Sequence, residues 1–124
     1  MESKPKKRIS VSSAKAKGRN LQQWTRDQIL KNFPSLEKDD VKSTSMGAGG
    51  EDVQLSPAAR REIPISVECK SYRLIAAYKF YDQAKENCPS GMEPVVVMKA
   101  DRRSPLVVLD AVAYFELMRR LKNA

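Results

Sequence analysis

The sequence contains no histidine. This absence excludes Ser-His-Asp and Cys-His catalysis, together with zinc sites that use histidine ligands. Any metal chemistry therefore has to rest on carboxylates, carbonyls and water, which favours Mg²⁺ or another hard cation. The two cysteines, Cys69 and Cys88, are too few for a zinc cluster or a disulfide framework. We interpret them as reduced thiols of an intracellular protein.

Long apolar segments are also absent. No apolar run approaches the roughly 20 residues that a membrane span needs, and the amino-terminal residues lack the apolar region of a signal peptide. We therefore expect a cytoplasmic protein with no membrane partner. The segment MGAGG (46–50) lacks the lysine and the following helix of a phosphate-binding loop, so we expect no nucleotide cofactor.

Basic residues are in excess and unevenly distributed. The chain has 124 residues, with 23 Lys and Arg against 15 Asp and Glu, giving a net charge of +8. Seven basic side chains and one acid lie within residues 1–20. We expect residues 1–12 to be a flexible basic arm and residues 13–124 to be a single domain. The charge indicates a polyanionic partner such as DNA.

Hydrophobic periodicity predicts three helices and five strands. The predicted elements are a helix from Ser12 or Ser13 to Phe33, strands over 39–45, 51–56 and 63–70, a helix over 72–87, strands over 94–99 and 105–110, and a helix over 111–122. We interpret SPAARRE (56–62) as a connection. The order α-β-β-β-α-β-β-α is typical of an α/β or α+β sheet with helices packed on it.

The apolar positions of the helices predict their packing faces. We expect Trp24 of the first helix to lie in the core rather than to stack on a base. The predicted packing residues of the second helix are Leu74, Ala77, Tyr78, Tyr81 and Ala84, and those of the last helix are Val112, Phe115, Leu117 and Met118.

The polar face of the third strand carries the candidate chemistry. Glu68 and Lys70 are two residues apart, so both side chains project to the same side of the strand. Asp52 begins the neighbouring strand, and if the two strands pair, Asp52 and Glu68 can converge on one Mg²⁺. Lys70 beside that metal can orient or deprotonate a water and offset the charge of a phosphate. The alternative is a solvated strand face with a local Glu68–Lys70 ion pair.

The spacing of these residues resembles a known motif. Asp52, fifteen further residues, and then Glu68-Cys69-Lys70 are similar to the PD-(D/E)xK nuclease motif. Over about residues 14–99 the chain resembles, more narrowly, the small Holliday-junction resolvases of archaea and phages. The segments that carry this likeness are KGRNLQ (17–22), the Ser/Thr-rich STS (43–45), VECKS (67–71) and Gln83.

The resemblance implies a fold and a site. The fold would be α/β with a restriction-endonuclease-like core, a mixed central sheet of about five strands flanked by helices. Asp52, Glu68 and the carbonyl of Cys69 would bind Mg²⁺, with Mn²⁺ as a substitute, and Lys70 would be the catalytic lysine. Gln83 would position the lysine or the water. Ser45, or Ser43, would contact the scissile phosphate.

The chain departs from the family pattern at two positions. Glu51 precedes Asp52 where the motif has proline, and this glutamate offers a spare carboxylate. Gln22 or Gln23 stands where the family carries a glutamate ligand in its first helix, so we expect weaker metal binding or a role for Glu51. The candidate DNA contacts, some of which could equally be solvated surface, are Lys15, Lys17, Arg19, Ser43, Arg60, Arg61, Arg102 and Arg103.

These expectations combine into one function. The sequence predicts a Mg²⁺-dependent endonuclease that resolves four-way DNA junctions as a homodimer, since a junction must be cut symmetrically on two strands. The last helix and the two late strands are candidates for the dimer interface. The alternatives are a PD-(D/E)xK nuclease that acts on flaps, ends or duplex DNA, and a non-catalytic DNA-binding protein of the same fold. The likeness to phage resolvases indicates a viral origin and action in a bacterial cytoplasm.

Overall fold

The fold was obtained as a computed structural model, which describes residues 10–44 and 50–124. The helices are α1 (Val11–Asn32), α2 (Pro57–Glu62), α3 (Ala77–Glu86) and α4 (Ala111–Lys122), with a short 3₁₀ turn at Lys38–Asp40. The strands are β1 (Val41–Ser43), β2 (Val53–Leu55), β3 (Ile65–Tyr72), β4 (Glu93–Ala100) and β5 (Leu106–Val108).

The five strands form one mixed sheet in the order β1-β2-β3-β4-β5. Neighbouring strands are antiparallel except β3 and β4, which run parallel and are connected through α3. A parallel pair needs such a crossover because its two strands start at the same end of the sheet. The predicted α/β fold, with a mixed sheet of five strands flanked by helices, is therefore confirmed.

The core lies on both faces of β3 and β4. On the α1 face, Val67 and Cys69 pack with Val95 and Val97, and on the α3 face Val96 and Met98 pack with Phe80 and Ala84. The strand parity predicted for residues 63–70 is confirmed, since Val67 and Cys69 lie in the α1-side core. Because both faces of β4 are covered, its centre is a continuous apolar run, 95–98, whereas β3 alternates and carries Glu68 and Lys70 on its α3 side.

Several element boundaries differ from the prediction. Ser10, rather than Ser12 or Ser13, caps α1, and its hydroxyl accepts a hydrogen bond from the Ser13 N–H. The segment taken as a connection contains α2, which Ser56 caps and which has proline in its first turn. The third strand extends to Tyr72, so α3 begins five residues later than predicted, at Ala77.

The predicted packing faces are partly wrong. Phe80 is the buried aromatic of α3, whereas Leu74 lies before the helix and Tyr78 is 88% exposed. Trp24 is 43% exposed rather than in the core. The four predicted packing residues of α4 are all exposed, so that prediction was wrong as well: Val112, Phe115, Leu117 and Met118.

In the parts of the chain that the structure describes, no helix is both long enough and apolar enough to cross a membrane.

Candidate active site

Asp52 is held at the edge of β3 by two hydrogen bonds. Its N–H donates to the Val67 carbonyl at 3.0 Å, and its Oδ2 accepts from the Cys69 N–H at 2.8 Å. The bridged pair Val53–Val67 sets this register between the antiparallel strands. Asp52 therefore contacts β3 on either side of Glu68, through its backbone N–H at Val67 and through its carboxylate at Cys69.

Glu68 brings a second carboxyl group to the same place. It is buried, and burial raises its pKa above the ordinary value, as do the charge of Asp52 and a hydrogen bond with the Asp52 side chain. The Lys70 ammonium, 3.2 Å from Glu68 Oε1, opposes this rise. The two carboxyl groups predicted to converge do lie within mutual electrostatic reach, and their repulsion is a cost that a bound cation would relieve.

Lys70 is constrained on two sides. Only 13% of its side chain is exposed, and its Nζ lies 5.7 Å from the centroid of the Phe80 ring, within the range of a cation–π contact. Phe80 in turn stacks on Tyr72, with ring centroids 5.3 Å apart. The ammonium is thereby fixed next to Glu68 instead of sampling solvent as surface lysines do.

Cys69 contributes its backbone rather than its thiol. The thiol lies on the opposite face of β3, 3.7 Å from the Thr25 hydroxyl of α1. Burial raises the pKa of this thiol to about 12, so it is not a nucleophile at neutral pH. The N–H and C=O of a strand residue point to the same neighbouring strand. Since the Cys69 N–H points to Asp52, the Cys69 carbonyl is also directed toward the side on which Asp52 lies.

The donor set fits a hard cation. Two carboxylates, one carbonyl and waters are ligands that Mg²⁺ accepts. Among residues 10–44 and 50–124, no cluster of three or more His, Cys, Asp or Glu side chains could hold a metal. A cation at this site would therefore rest on Asp52 and Glu68 without a third acidic side chain.

Glu51 forms an ion pair with Arg60 of α2. It is 7% exposed, and its Oε1 accepts a hydrogen bond from Arg60 at 2.9 Å. This pairing neutralises the charge that Arg60 was expected to offer to DNA, while the second carboxylate oxygen of Glu51, Oε2, is buried and has no hydrogen-bond partner among the described residues. The ion pair instead ties α2 to the residue just before Asp52.

Thr44 is a site residue that the sequence analysis missed. Its N–H and its hydroxyl both donate to the Asp52 carbonyl, at 2.9 and 3.2 Å. The pairing of β1 with β2, Ser43 with Val53, places Thr44 there. The signal in the sequence was the Ser/Thr-rich segment itself, but only the strand register identifies which of its members contacts Asp52.

The glutamines predicted for the site are placed differently from one another. Gln22 is buried on the sheet-facing side of α1, one turn before Thr25, whereas Gln23 is exposed. Gln22 is therefore the residue that could stand in for a helix-one ligand. Gln83 is exposed on α3, and within the described part of the chain its side chain makes no hydrogen bond with Lys70. Ser45 lies outside the described residues.

The remaining candidate DNA contacts differ in their surroundings. Lys17 of α1 makes an ion pair of 2.5 Å with Asp101, in the turn between β4 and β5, and this hydrogen bond lowers the pKa of Asp101. Arg102 of the same turn has a positive φ of 62°. Ser43 is half-buried in β1. The other candidates are exposed: Lys15, Arg19, Arg61 and Arg103.

Comparison with family models, with curated proteins and with solved structures finds no match for this chain.

Proposed function

We propose that this protein is a Mg²⁺-dependent DNA endonuclease of the PD-(D/E)xK type. The observation that carries the proposal is the meeting of Asp52, Glu68 and Lys70 at β3, two carboxyl groups that repel each other with one ammonium beside them. A Glu68–Lys70 ion pair on a solvated strand face would not need the second carboxylate of Asp52, which is hydrogen-bonded to β3. A metal site that acts on phosphate needs both carboxylates as ligands.

Asp52, Glu68 and the Cys69 carbonyl would hold the cation. When bound, Mg²⁺ supplies Lewis-acid polarisation of a phosphate oxygen and lowers the pKa of a coordinated water. The chain's own contribution is geometry: the Cys69 N–H orients one carboxylate of the pair, and the Phe80 ring and Glu68 orient the ammonium of Lys70. This arrangement would be in place before substrate binds, which is how fixed charges assist a reaction.

The proposed reaction is in-line hydrolysis of a phosphodiester. A bond forms between the water oxygen and phosphorus while the bond from phosphorus to the leaving sugar oxygen breaks. The water proton passes to solvent, and the leaving oxygen takes up a proton from solvent. Lys70 would offset the charge that builds up on the non-bridging phosphate oxygens.

We propose branched DNA as the substrate, in particular the four-way junction. The described residues form one folded domain, and none of their elements forms a separate module for reading base sequence. Recognition would then rest on backbone charge and on shape. Exposed Lys15, Arg19 and Arg103 would contribute that charge. A homodimer would supply the two active sites that two symmetric cuts require. Cleavage would take place in the cytoplasm, where the DNA substrate is.

Two observations favour the non-catalytic alternative. The helix-one position carries neutral Gln22, and Gln83 is exposed rather than directed to Lys70. A DNA-binding protein of this fold could keep the sheet and the basic surface without a complete metal site.

Cleavage of three labelled substrates tests these functions. The purified protein is incubated with a four-way junction, a flap and a linear duplex, in Mg²⁺ and in EDTA. Cutting confined to the junction and dependent on Mg²⁺ supports the proposal, whereas cutting of flap or duplex supports a different nuclease. If the unaltered protein binds these DNA substrates but does not cut them in Mg²⁺, the nuclease proposal is refuted.

Matched variants connect the activity to the site. Asp52→Asn and Lys70→Ala should each lower the cleavage rate by roughly a hundredfold or more, the usual effect of removing one transition-state contact. Asp82→Asn and Lys85→Ala make the same changes at exposed positions of α3 and should leave the rate unaltered. Equal losses in both pairs would mean that the measured activity does not arise at β3.

A further inference from the structure

A small pocket opens on the α3 face of the sheet. Its volume is about 330 Å³, at the lower end of the range of small-ligand sites. The residues that line it come from the connection before α3, from β4, from the turn between β4 and β5, and from β5: Ile75, Met98, Ala100, Arg103, Ser104 and Leu106. A pocket of this size suits a group as large as one nucleotide.

The strand register places this pocket beside Lys70. Met98 of β4 pairs with Lys70 of β3, and Leu106 of β5 pairs with Met98. Paired residues lie on the same face of a sheet, so these three side chains form a row across three strands. Neighbouring strands are roughly 4.8 Å apart, which puts the backbone of Leu106 about 10 Å from that of Lys70. The pocket therefore begins one strand away from the ammonium of the candidate active site.

The inner surface of the pocket is apolar. Met98 is buried, and it packs with Phe80 and with the partly buried Ile75. Leu106 is 62% exposed and forms an open wall. A thioether makes favourable contacts with aromatic rings, and aliphatic side chains cover the face of a flat ring. The pocket thus offers a surface on which a nucleobase can lie.

Tyr72 adds an aromatic side chain at the border of the pocket. It pairs with Ala100, one of the lining residues, and its ring stacks on Phe80 with centroids 5.3 Å apart. Tyr72 is nevertheless 49% exposed, so a large part of its ring is left for another contact. Sites for unpaired nucleic acid combine such aromatic side chains with basic ones.

The rim of the pocket carries positive charge. Arg103 is exposed, and it makes no ion pair within the described part of the chain. Asp101, the acid of the same turn, is already paired with Lys17. Arg73, which is also exposed, lies two residues before Ile75. An apolar pocket with a basic rim complements a flat ring that is joined to an anion, which describes a nucleotide.

We propose that this pocket receives an unpaired DNA base next to the scissile phosphate, with Arg103 at the phosphate of the same nucleotide. The inference rests on the proposed function in taking DNA as the partner, and it does not depend on cleavage. Bringing a base into a pocket costs least when the base is mismatched or already single-stranded. The protein would therefore prefer DNA with an unpaired base near the branch point over continuous duplex. Because stacking tolerates every base, this preference would not depend on sequence.

Binding to three labelled duplexes tests the pocket. One duplex is fully paired, the second has a single unpaired thymine, and the third has the same unpaired position without its base. Fluorescence anisotropy is measured in EDTA, which prevents Mg²⁺-dependent cutting. The duplex with the thymine should bind roughly tenfold more tightly than either of the others. The second and third duplexes share the interruption of pairing, so equal affinities for these two would show that no base is bound and would overturn the proposal.

Two matched variants assign the preference to the pocket. Leu106→Asp places a carboxylate in the pocket and should abolish the preference for the thymine. Val107→Asp makes the same change of charge at the next residue, which is 59% exposed on the opposite face because it pairs with Val97. This control should keep the preference, and circular dichroism checks that both variants are folded. A preference that survives Leu106→Asp, or that Val107→Asp also removes, contradicts the assignment.

The salt dependence of binding tests the role of Arg103. Removing one phosphate contact should reduce the slope of log affinity against log salt concentration by about one. Arg103→Ala should therefore lower the slope measured with the thymine duplex, and an unchanged slope would refute the phosphate contact.

These measurements separate the pocket from the nuclease. If the protein cuts the junction but binds the thymine and baseless duplexes equally, the pocket proposal fails and the nuclease proposal stands. If it prefers the thymine but cuts no DNA, the nuclease proposal fails and the pocket proposal is supported. Absence of any DNA binding overturns both.

Discussion

Replacing Lys70 by methionine removes the only cation that faces Glu68 in the described site. Methionine keeps the length of the side chain and an aromatic contact with Phe80, so the main change is the loss of the charge. The Glu68 carboxylate is then left buried beside Asp52 with no compensating ammonium. We expect the variant to be less stable and the deficit to depend on pH.

The size of the deficit follows from burial. Breaking a fully buried ion pair by removing one partner costs about 3–5 kcal/mol, and an exposed pair contributes about 0–1 kcal/mol. The Glu68 and Lys70 side chains are 6% and 13% exposed, so this pair lies nearer to the buried limit. We expect Lys70→Met to lower the free energy of unfolding by roughly 2–3 kcal/mol at pH 8.

The sign of the pH dependence follows from the pKa of Glu68. Burial, and then the charge of Asp52, raise this pKa above its ordinary 4.5, while Lys70 lowers it. Above pH 4.5 the folded protein therefore retains a proton that the unfolded chain has lost, and stability falls as the pH rises through that window. Without Lys70 the pKa of Glu68 rises further and the window widens. The deficit of the variant should be small near pH 5 and reach its full size at pH 8.

Urea unfolding followed by circular dichroism at pH 5 and pH 8 measures this effect. Lys85→Met, which removes an exposed lysine of α3, should change stability by less than about 0.5 kcal/mol at either pH. In a Glu68→Gln background the Lys70→Met change should become nearly neutral, because no buried carboxylate remains to be left unpaired. An equal deficit at both pH values, or one that persists in the Glu68→Gln background, would refute the electrostatic argument.

Three further outcomes are expected. Asp52→Asn should lower the pKa of Glu68, because it removes a neighbouring negative charge, and a carbon-detected NMR titration that finds this pKa unchanged would contradict the geometry. Arg60→Ala should cost roughly 2–3 kcal/mol in urea unfolding, since it leaves its buried glutamate partner unpaired, whereas Arg61→Ala at an exposed position should cost less than about 0.5 kcal/mol. Cys69, with its pKa raised to about 12, should react with iodoacetamide at pH 8 far more slowly than the other cysteine, as mass spectrometry of the peptides can measure; comparable rates would indicate that the thiol is accessible.

Local patterns predicted most of the elements. The alternation over residues 63–70 correctly assigned the two faces of β3, because side chains on a strand alternate whatever the strand pairs with. Helix ends were less predictable. Ser10, Ser12 and Ser13 are chemically equal candidates for the N-cap of α1, and only the backbone conformation at Ser10 distinguishes them.

The aromatic residues of α3 show where local patterns fail. Tyr78 and Phe80 both fit a packing face, and the choice between them depends on where the helix begins. The helix begins at Ala77 because β3 continues to Tyr72, and β3 continues because β4 pairs with it along its full length. That pairing joins residues about 30 positions apart, which no local window contains.

The sequence by itself determined the side on which Glu68 and Lys70 lie, since strand parity is a property of the covalent chain. It did not determine that Asp52 joins them, because that depends on the Val53–Val67 register and on the hydrogen bond from the Cys69 N–H. Tertiary structure likewise turned Glu51 toward Arg60 and left α4 uncovered. An amphipathic pattern states that a helix has a face to bury. Only the packing of the whole chain shows whether its own domain, or another surface, is there to cover it.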